Sequence, residues 1–102
     1  MVRIKEPAEF EWDKGNIAKN KKHNVEDRES EEVFFDDHKL IFKDHIHSNK
    51  EERLRILGKT KKKRLLFIVF TKRGRKIRII SARDINKKEV FLYEEKINTT
   101  KV

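Results

Sequence analysis

The longest apolar run of this chain, Leu65 to Phe70, is only six residues long, in a sequence of which 44% of the residues are charged. The run is rich in β-branched and aromatic side chains and continues to Thr71, a pattern that favours a strand buried at the centre of a sheet. Only 35% of the 102 residues are hydrophobic, so we expect one domain with one modest core. A bilayer span needs roughly 20 consecutive apolar residues, so no membrane span is predicted.

Patterns on both sides of this strand predict a small α+β domain with two helices, an antiparallel sheet of three to four strands and a C-terminal helix. Asp13 is suited to cap a first helix over residues 14–22, and Asn24 to end it, because asparagine tolerates the left-handed conformation. The other predicted elements are a helix over 26–35 that buries Val33, Phe34 and Phe35, and strands over 39–43, 53–57, 65–71 and 76–80.

The last helix is predicted to begin near Ser81, because Ser81 and Asp84 have the spacing of a capping box, and to end near Lys96. Ala82, Ile85, Glu89 and Tyr93 would then lie along one stripe of that helix. We expect a single domain over residues 10–96, with residues 1–9 a flexible lead-in and residues 97–102 a flexible tail.

The charge of the chain is divided unevenly along its length. Residues 1–37 hold 7 Lys or Arg and 11 Asp or Glu, a net charge of −4, whereas residues 38–102 hold 20 and 7, a net charge of +13. A basic second half indicates an anionic partner, most commonly a nucleic acid. The alternative is a general enrichment in lysine that has no bearing on function.

The chain contains no cysteine, which excludes disulfides and cysteine-ligated zinc. Its first ten residues lack the apolar core of a signal peptide, so a cytoplasmic location is expected. His45 and His47, with His38 and Asp44 nearby, suggest a metal site, but the carboxylate-rich or cysteine set that would complete one is missing. We therefore expect no metal and no cofactor.

The six residues Arg78-Ile79-Ile80-Ser81-Ala82-Arg83 place two arginines and a hydroxyl at the predicted junction of a strand and a helix. Arginine donates two parallel hydrogen bonds to phosphate, and the start of a helix adds exposed N–H groups. Arg78 and Arg83 are thus predicted phosphate ligands, and Ser81 a helix cap with a secondary phosphate contact. The alternative for Arg83 is an ion pair with Asp84 or another nearby acid.

Four blocks of residues occur in order along the chain. They are Phe10-Glu11-Trp12-Asp13 with Asn20 and Lys22-His23-Asn24-Val25; Glu32-Val33-Phe34-Phe35-Asp36; Asp44, His47-Ser48 and Glu51-Glu52-Arg53 with Ile56 and Gly58; and residues 78–83 with Glu89 and Tyr93-Glu94. Together these blocks resemble the BrnT family of bacterial type II toxins. The chain departs from that family at Asn16, where lysine is usual, and at Asn24, where glycine is usual.

The resemblance implies a RelE-like fold and metal-independent cleavage of RNA. It also implies a cognate antitoxin of the BrnA type, which binds both the toxin and operator DNA. The antitoxin is expected to carry a ribbon-helix-helix part and to form a two-plus-two complex that contacts DNA only through the antitoxin.

Metal-free RNA cleavage requires a base for the 2′-OH proton, cations for the phosphorane and an acid for the leaving 5′-oxygen. Glu89 is a candidate base or a partner that orients an arginine, although a solvated helix face explains most glutamates. Tyr93 would contact RNA, or else belong to the core or to an antitoxin contact. His23 is a further candidate because histidine as a residue type can exchange protons near neutral pH, but a histidine in the last turn of a helix often serves only that helix.

A basic turn over residues 58–63 and the turn at Arg73-Gly74 complete the cationic features. Such clusters are usually solvated turns, but here they are candidates for attracting RNA electrostatically, without sequence specificity. The predicted RNA-binding residues are Lys59, Lys61, Lys62, Lys63, Arg64 and Arg73.

These observations together predict a toxin endoribonuclease that inhibits translation and growth. Its reaction would be attack of the 2′-OH on the adjacent phosphate, which leaves a 2′,3′-cyclic phosphate and a 5′-OH. Two alternatives stay open: a non-catalytic RNA- or ribosome-binding module, and a mainly structural subunit of an antitoxin repressor complex.

Overall fold

The computed structural model describes residues 9–44 and 51–100. Within these ranges the chain forms a five-stranded sheet and three helices. The strands are β1 (Glu9–Glu11), β2 (Leu40–Lys43), β3 (Arg53–Lys59), β4 (Leu65–Arg73) and β5 (Lys76–Asp84), and the helices are α1 (Lys14–Lys22), α2 (Asp27–Val33) and α3 (Lys87–Thr100).

The strand order is β1-β5-β4-β3-β2, so the apolar run in β4 is the central strand, as predicted. Neighbouring strands pair antiparallel except β1, which runs parallel to β5 with Phe10 opposite Ile77. The sheet therefore has one strand more than the three to four predicted, and the strand that was not predicted is β1. Three residues are too few to show a strand periodicity, and β1 exists because β5 offers it an edge to pair with.

The first helix confirms both of its predicted ends. The Asp13 carboxylate accepts hydrogen bonds from the N–H groups of Gly15 (2.9 Å) and Asn16 (3.3 Å), and Asn24 has a φ of 56°. Asn16 is buried at 2% exposure, and its amide donates to the Glu11 carbonyl (2.8 Å), which ties α1 to β1. An asparagine at this position thus serves the fold.

The C-terminal helix does not begin at Ser81 as predicted. β5 continues through the whole segment Arg78 to Arg83 and pairs with β4 as far as Asp84 opposite Leu66. The helix starts at Lys87 behind Asn86, whose side chain accepts from the Glu89 N–H (2.9 Å) while Glu89 accepts from the Asn86 N–H (2.8 Å). Ser81 therefore caps no helix, because the backbone around it is hydrogen-bonded to β4. The helix is capped instead by Asn86, five residues later. α3 also continues beyond the predicted end, to Thr100.

The core lies between one face of the sheet and helices α1 and α2. Phe10 and Trp12 pack against its edge, and the Trp12 indole donates to Glu31 (2.7 Å). Phe35, which was expected to be buried, is 49% exposed because α2 ends at Val33 and the chain turns away. The core residues are Val25, Val33, Phe34, Ile41, Leu54, Ile56, Leu66, Ile68, Phe70, Ile77, Ile79 and Ala82.

Helix α3 packs against β3 on the opposite face of the sheet. Leu57 and Tyr93 are buried there outside the main core, and the Lys59 ammonium lies 5.7 Å from the centre of the Tyr93 ring. Because α3 sits at the β3 side, much of this second face is only partly covered. None of the helices in the described ranges is long and apolar enough to cross a membrane.

Candidate nucleic-acid interface

The second face of the sheet carries the arginines selected from the sequence, aligned with arginines of β3. Cross-strand pairing places Arg53, Thr71 and Arg78 in one row. The next row holds Arg55, Val69 and Ser81, and the third holds Leu57, Phe67 and Arg83. Residues in one row of an antiparallel sheet project from the same face. Six polar side chains therefore share this surface: Arg53, Arg55, Arg78, Ser81, Arg83 and the buried Thr71.

A β-bulge in β5 brings Arg78 and Arg83 to the same face. They are five positions apart, and strict alternation would send their side chains in opposite directions. Val69 pairs with Ser81 whereas Phe70 pairs with Ile79, so Ile80 has no counterpart in β4. This extra residue shifts the alternation by one position, so that Arg78 and Arg83 lie on one face while Ile79 and Ala82 are both fully buried in the core on the other.

Arg78 is held by two carboxylates from the acidic N-terminal segment. Its guanidinium lies 2.6 Å from Asp13 Oδ2 and 3.5 Å from Glu11 Oε1. The hydrogen bond from Arg78, helped by the N–H groups that Asp13 caps, lowers the pKa of Asp13 from its usual 3.8 to about 2. In return, Asp13 raises the pKa of Arg78.

Arg83 forms a bidentate pair with Glu89, with distances of 2.9 Å and 2.8 Å, and stacks 4.1 Å over the Phe67 ring. Glu89 is thereby shared between the cap of α3 and the sheet face. Burial alone would raise the pKa of Glu89, but the hydrogen bonds from Arg83 and the Asn86 N–H outweigh it and lower that pKa. Of the two interpretations of Arg83, the ion pair with a nearby acid is present, and the acid is Glu89 rather than Asp84.

Tyr93 is separated from this surface. It is 1% exposed, and its hydroxyl donates to Asp36 Oδ2, which also accepts the Lys59 N–H at 2.8 Å. Burial, reinforced by the bond to Asp36, raises the pKa of Tyr93. The contact joins α3 to β3 and to the segment after α2, as expected for a core residue.

His23 caps the C-terminal end of α1, where its N–H bonds to the Asn20 carbonyl (3.1 Å). Its charge contributes to the lowered pKa of Asp84, after the larger contribution of the hydrogen bond from Arg64. Arg64 joins this end of α1 to the end of β5, because it donates both to the carbonyl of Asn24, the residue after His23, and to Asp84. Among the described residues, His23 forms no hydrogen bond with Arg83 or Glu89. His45 and His47 lie outside those residues, within which no three His, Cys, Asp or Glu side chains group as metal ligands.

The predicted RNA-binding cations fall into three groups. Arg64 pairs with Asp84 (2.8 Å) and Glu29 (3.0 Å), and Arg73 pairs with Glu51 and Glu11 (both 2.9 Å), so their charges are largely neutralised. The Lys59 ammonium lies over the Tyr93 ring. Lys61, Lys62 and Lys63 are exposed in the turn between β3 and β4, and they form no ion pair with the described residues.

Arg53 and Arg55 belong to the same face, yet the sequence reasoning did not select them for the site. The signal was present in the alternation of basic and apolar residues over 53–57, which shows that these arginines leave β3 opposite Leu54 and Ile56. Which strands lie beside β3, and so which residues stand next to these arginines, follows only from the sheet.

A small α+β domain with a row of arginines across one sheet face is of a class suited to binding nucleic acids. A family model described as the ribonuclease toxin BrnT of type II toxin–antitoxin systems matches residues 12–89. The chain belongs to this family, which confirms the resemblance noted in its sequence blocks. No curated protein sequence matches the chain significantly.

Proposed function

We propose that this toxin is a metal-independent endoribonuclease whose active site is the arginine-bearing face of the sheet. The observation that supports the proposal most directly is that Arg78, Ser81 and Arg83 share that face and that Glu89 is paired with Arg83 there. The 2′-OH that serves as nucleophile makes RNA, and not DNA, the substrate.

In the proposed reaction a base removes the 2′-OH proton and the 2′-oxygen attacks the adjacent phosphorus. The bond from phosphorus to the 5′-oxygen breaks, an acid protonates that oxygen, and the products are a 2′,3′-cyclic phosphate and a 5′-OH. Arg78 and Arg83 would stabilise the charge of the phosphorane. Ser81 would donate a hydrogen bond to a phosphate oxygen.

Glu89 is our candidate for the base. Its lowered pKa keeps it ionised at neutral pH, and Oε2 accepts only from Arg83 among the described residues. His23, beside the end of β5, remains the candidate acid. Tyr93 would act through the fold, because its hydroxyl bond to Asp36 holds the helix that carries Glu89.

Partners and location extend the proposal. We expect a BrnA-like antitoxin with a ribbon-helix-helix part to cover the arginine face, in a two-plus-two complex that reaches DNA only through the antitoxin. We also retain a RelE-like architecture, a domain over residues 10–96 and a cytoplasmic location as proposals.

The experiment is incubation of the purified protein with single-stranded RNA and with DNA of the same sequence, each with and without EDTA. We expect RNA to be cut, DNA to stay intact and EDTA to have no effect, with cyclic-phosphate ends on the products. Cleavage that stops in EDTA and resumes on addition of a divalent ion would overturn the metal-free mechanism.

A non-catalytic RNA-binding module is the second candidate function. It is favoured by the ion pairs of Arg78 and Arg83, which already satisfy both guanidinium groups without substrate. Under this alternative the protein would retain RNA in a gel-shift assay and leave it uncut at every time point.

A further inference from the structure

Most of the arginines considered above are bound to carboxylates of the same chain. Arg78 is paired with Asp13, Arg83 with Glu89, and Arg64 with Asp84 and Glu29. Each of these guanidinium groups must give up or share a partner before it can bind a phosphate fully. A residue that binds RNA from the start should instead have its charge uncompensated.

Arg55 meets that description. It lies on β3 in the middle row of the arginine face, in line with Val69 and Ser81. No carboxylate among the described residues forms an ion pair with it, and its Nε is buried without a hydrogen-bond partner.

The guanidinium of Arg55 is nevertheless fixed in place. It lies 4.7 Å from the centre of the Phe42 ring, a cation–π contact that orients its plane. The buried Nε–H group of this always-charged side chain meets no acceptor, which is costly, whereas the residue as a whole is only half-buried and leaves the outer guanidinium N–H groups open to a ligand. Because arginine has no acceptor and five donors, the complementary ligand is an anion.

The charge of Arg55 also reaches the proposed catalytic pair. It is one of the causes that lower the pKa of Glu89, after burial, the Arg83 and Asn86 hydrogen bonds, and the Arg83 charge. The strand register agrees with this, because the row of Arg55, Val69 and Ser81 lies next to the row that holds Phe67 and Arg83.

We propose that Arg55 binds a phosphate of the RNA backbone on the sheet face, between Ser81 and the Arg83–Glu89 pair. This inference rests on the proposed function in that RNA occupies this face. Among the described residues Arg55 contacts the Phe42 ring and forms no ion pair, so it meets the incoming phosphate without first breaking an ion pair to any of them.

The test compares Arg55→Gln and Arg55→Lys with Arg28→Gln as the matched control. Arg28 is exposed on α2, across the sheet from Arg55, and its loss removes the same charge. Affinity for a 2′-fluoro RNA oligonucleotide, which lacks the nucleophilic hydroxyl, is measured over a series of salt concentrations. Cleavage of the matching natural RNA is measured in parallel, and thermal unfolding verifies that each variant is folded.

We expect Arg55→Gln to weaken binding about 10- to 100-fold and to reduce the slope of log affinity against log salt by roughly 1. Arg55→Lys should keep the salt slope and recover part of the affinity, and Arg28→Gln should bind as wild type does. Folded Arg55→Gln protein with wild-type affinity and slope would overturn the assignment.

The two readouts separate this inference from the proposed catalysis. If wild-type protein binds the 2′-fluoro RNA but never cuts natural RNA, and Arg55→Gln still loses affinity, the Arg55 site stands and the ribonuclease proposal fails. If wild-type protein cuts RNA and Arg55→Gln binds normally, the ribonuclease proposal stands and the Arg55 site fails. Absence of any binding by wild-type protein would overturn both.

Discussion

At the scale of single residues, the chemistry of this face depends on which carboxylate each arginine meets. Asp13 serves as cap of α1 and as ion-pair partner of Arg78, and Glu89 serves as capping residue of α3 and as partner of Arg83. Each acid therefore links the start of a helix to the sheet. This double use aligns the two guanidinium groups with the same surface.

Arg78→Ala and Arg83→Ala should each reduce the rate of RNA cleavage by about 10²–10³-fold. Removal of one charge-assisted contact in the transition state costs on the order of 2–4 kcal/mol. The measurement is cleavage rate at saturating RNA, with circular dichroism to show that the variants fold, and growth arrest on expression as a second readout. Full activity of either folded variant would make that arginine a purely structural residue.

Asp13→Asn isolates the ion pair with Arg78, because asparagine is as good a helix cap as aspartate. The pKa of Asp13 is depressed in the folded protein, so its contribution to stability is present above its unfolded value of 3.8 and is lost as pH falls towards about 2. The melting temperature of Asp13→Asn should therefore lie below that of wild type at pH 7 and approach it between pH 4 and pH 2. A difference that is constant over this range would show that the pair does not titrate.

At the scale of secondary-structure elements, α3 is positioned by contacts at two points. Its first turn is joined to β5 through Glu89 and Arg83, and its middle is joined to β3 and Asp36 through Tyr93. The bulge at Ile80 determines that Arg83 faces the helix rather than the core. The position of Glu89 over the sheet is thus a property of two strands and a helix together.

Tyr93→Phe tests whether the hydroxyl of Tyr93 acts on RNA or on the fold. We expect a loss of about 1–3 kcal/mol in the free energy of unfolding, because Asp36 loses a buried donor. The cleavage rate of the folded variant should stay near that of wild type, as measured well below its melting temperature. A folded variant with normal stability and no activity would instead place the hydroxyl in the chemistry.

At the scale of the whole molecule, the acidic first part of the chain neutralises arginines of the basic second part. Glu11 and Asp13 contact Arg73 and Arg78, and Glu29 contacts Arg64. The net charge of +13 over residues 38–102 is therefore not a uniformly exposed surface. The exposed lysines of the β3–β4 turn and Arg55 are among the cations that form no ion pair with the described residues.

Neutralisation of Lys61, Lys62 and Lys63 to glutamine should weaken RNA binding and flatten its salt dependence, since exposed lysines act through counterion release. The cleavage rate at saturating RNA should barely change. The matched control replaces Lys19, Lys21 and Lys22 at the end of α1. A collapse of the saturated rate with binding intact would place the turn lysines in the active site.

Co-expression with the neighbouring gene tests the antitoxin proposal at the same scale. We expect co-purification of a small ribbon-helix-helix protein, a mass that fits two copies of each chain, and suppression of RNA cleavage. Toxin alone should show no specific binding to the operator. A neighbour that binds while cleavage continues undiminished would contradict coverage of the arginine face.

The sequence by itself determined the features that depend on neighbours along the chain. The Asp13 cap, the left-handed Asn24 and the central strand at Leu65 to Phe70 could be recognised because a few adjacent residues specify each of them. The BrnT family could be recognised because several such short blocks occur in order along the chain. Local spacing also gave a wrong helix start. Ser81 and Asp84 have the spacing of a capping box, but cross-strand hydrogen bonds to β4 keep both residues in a strand. Only the tertiary structure decided that β1 joins the sheet, that a bulge turns Arg83 to the face of Arg78, and that Arg53 and Arg55 stand beside them. Those outcomes depend on pairing between residues far apart in the chain, and no local pattern encodes which strands will lie side by side.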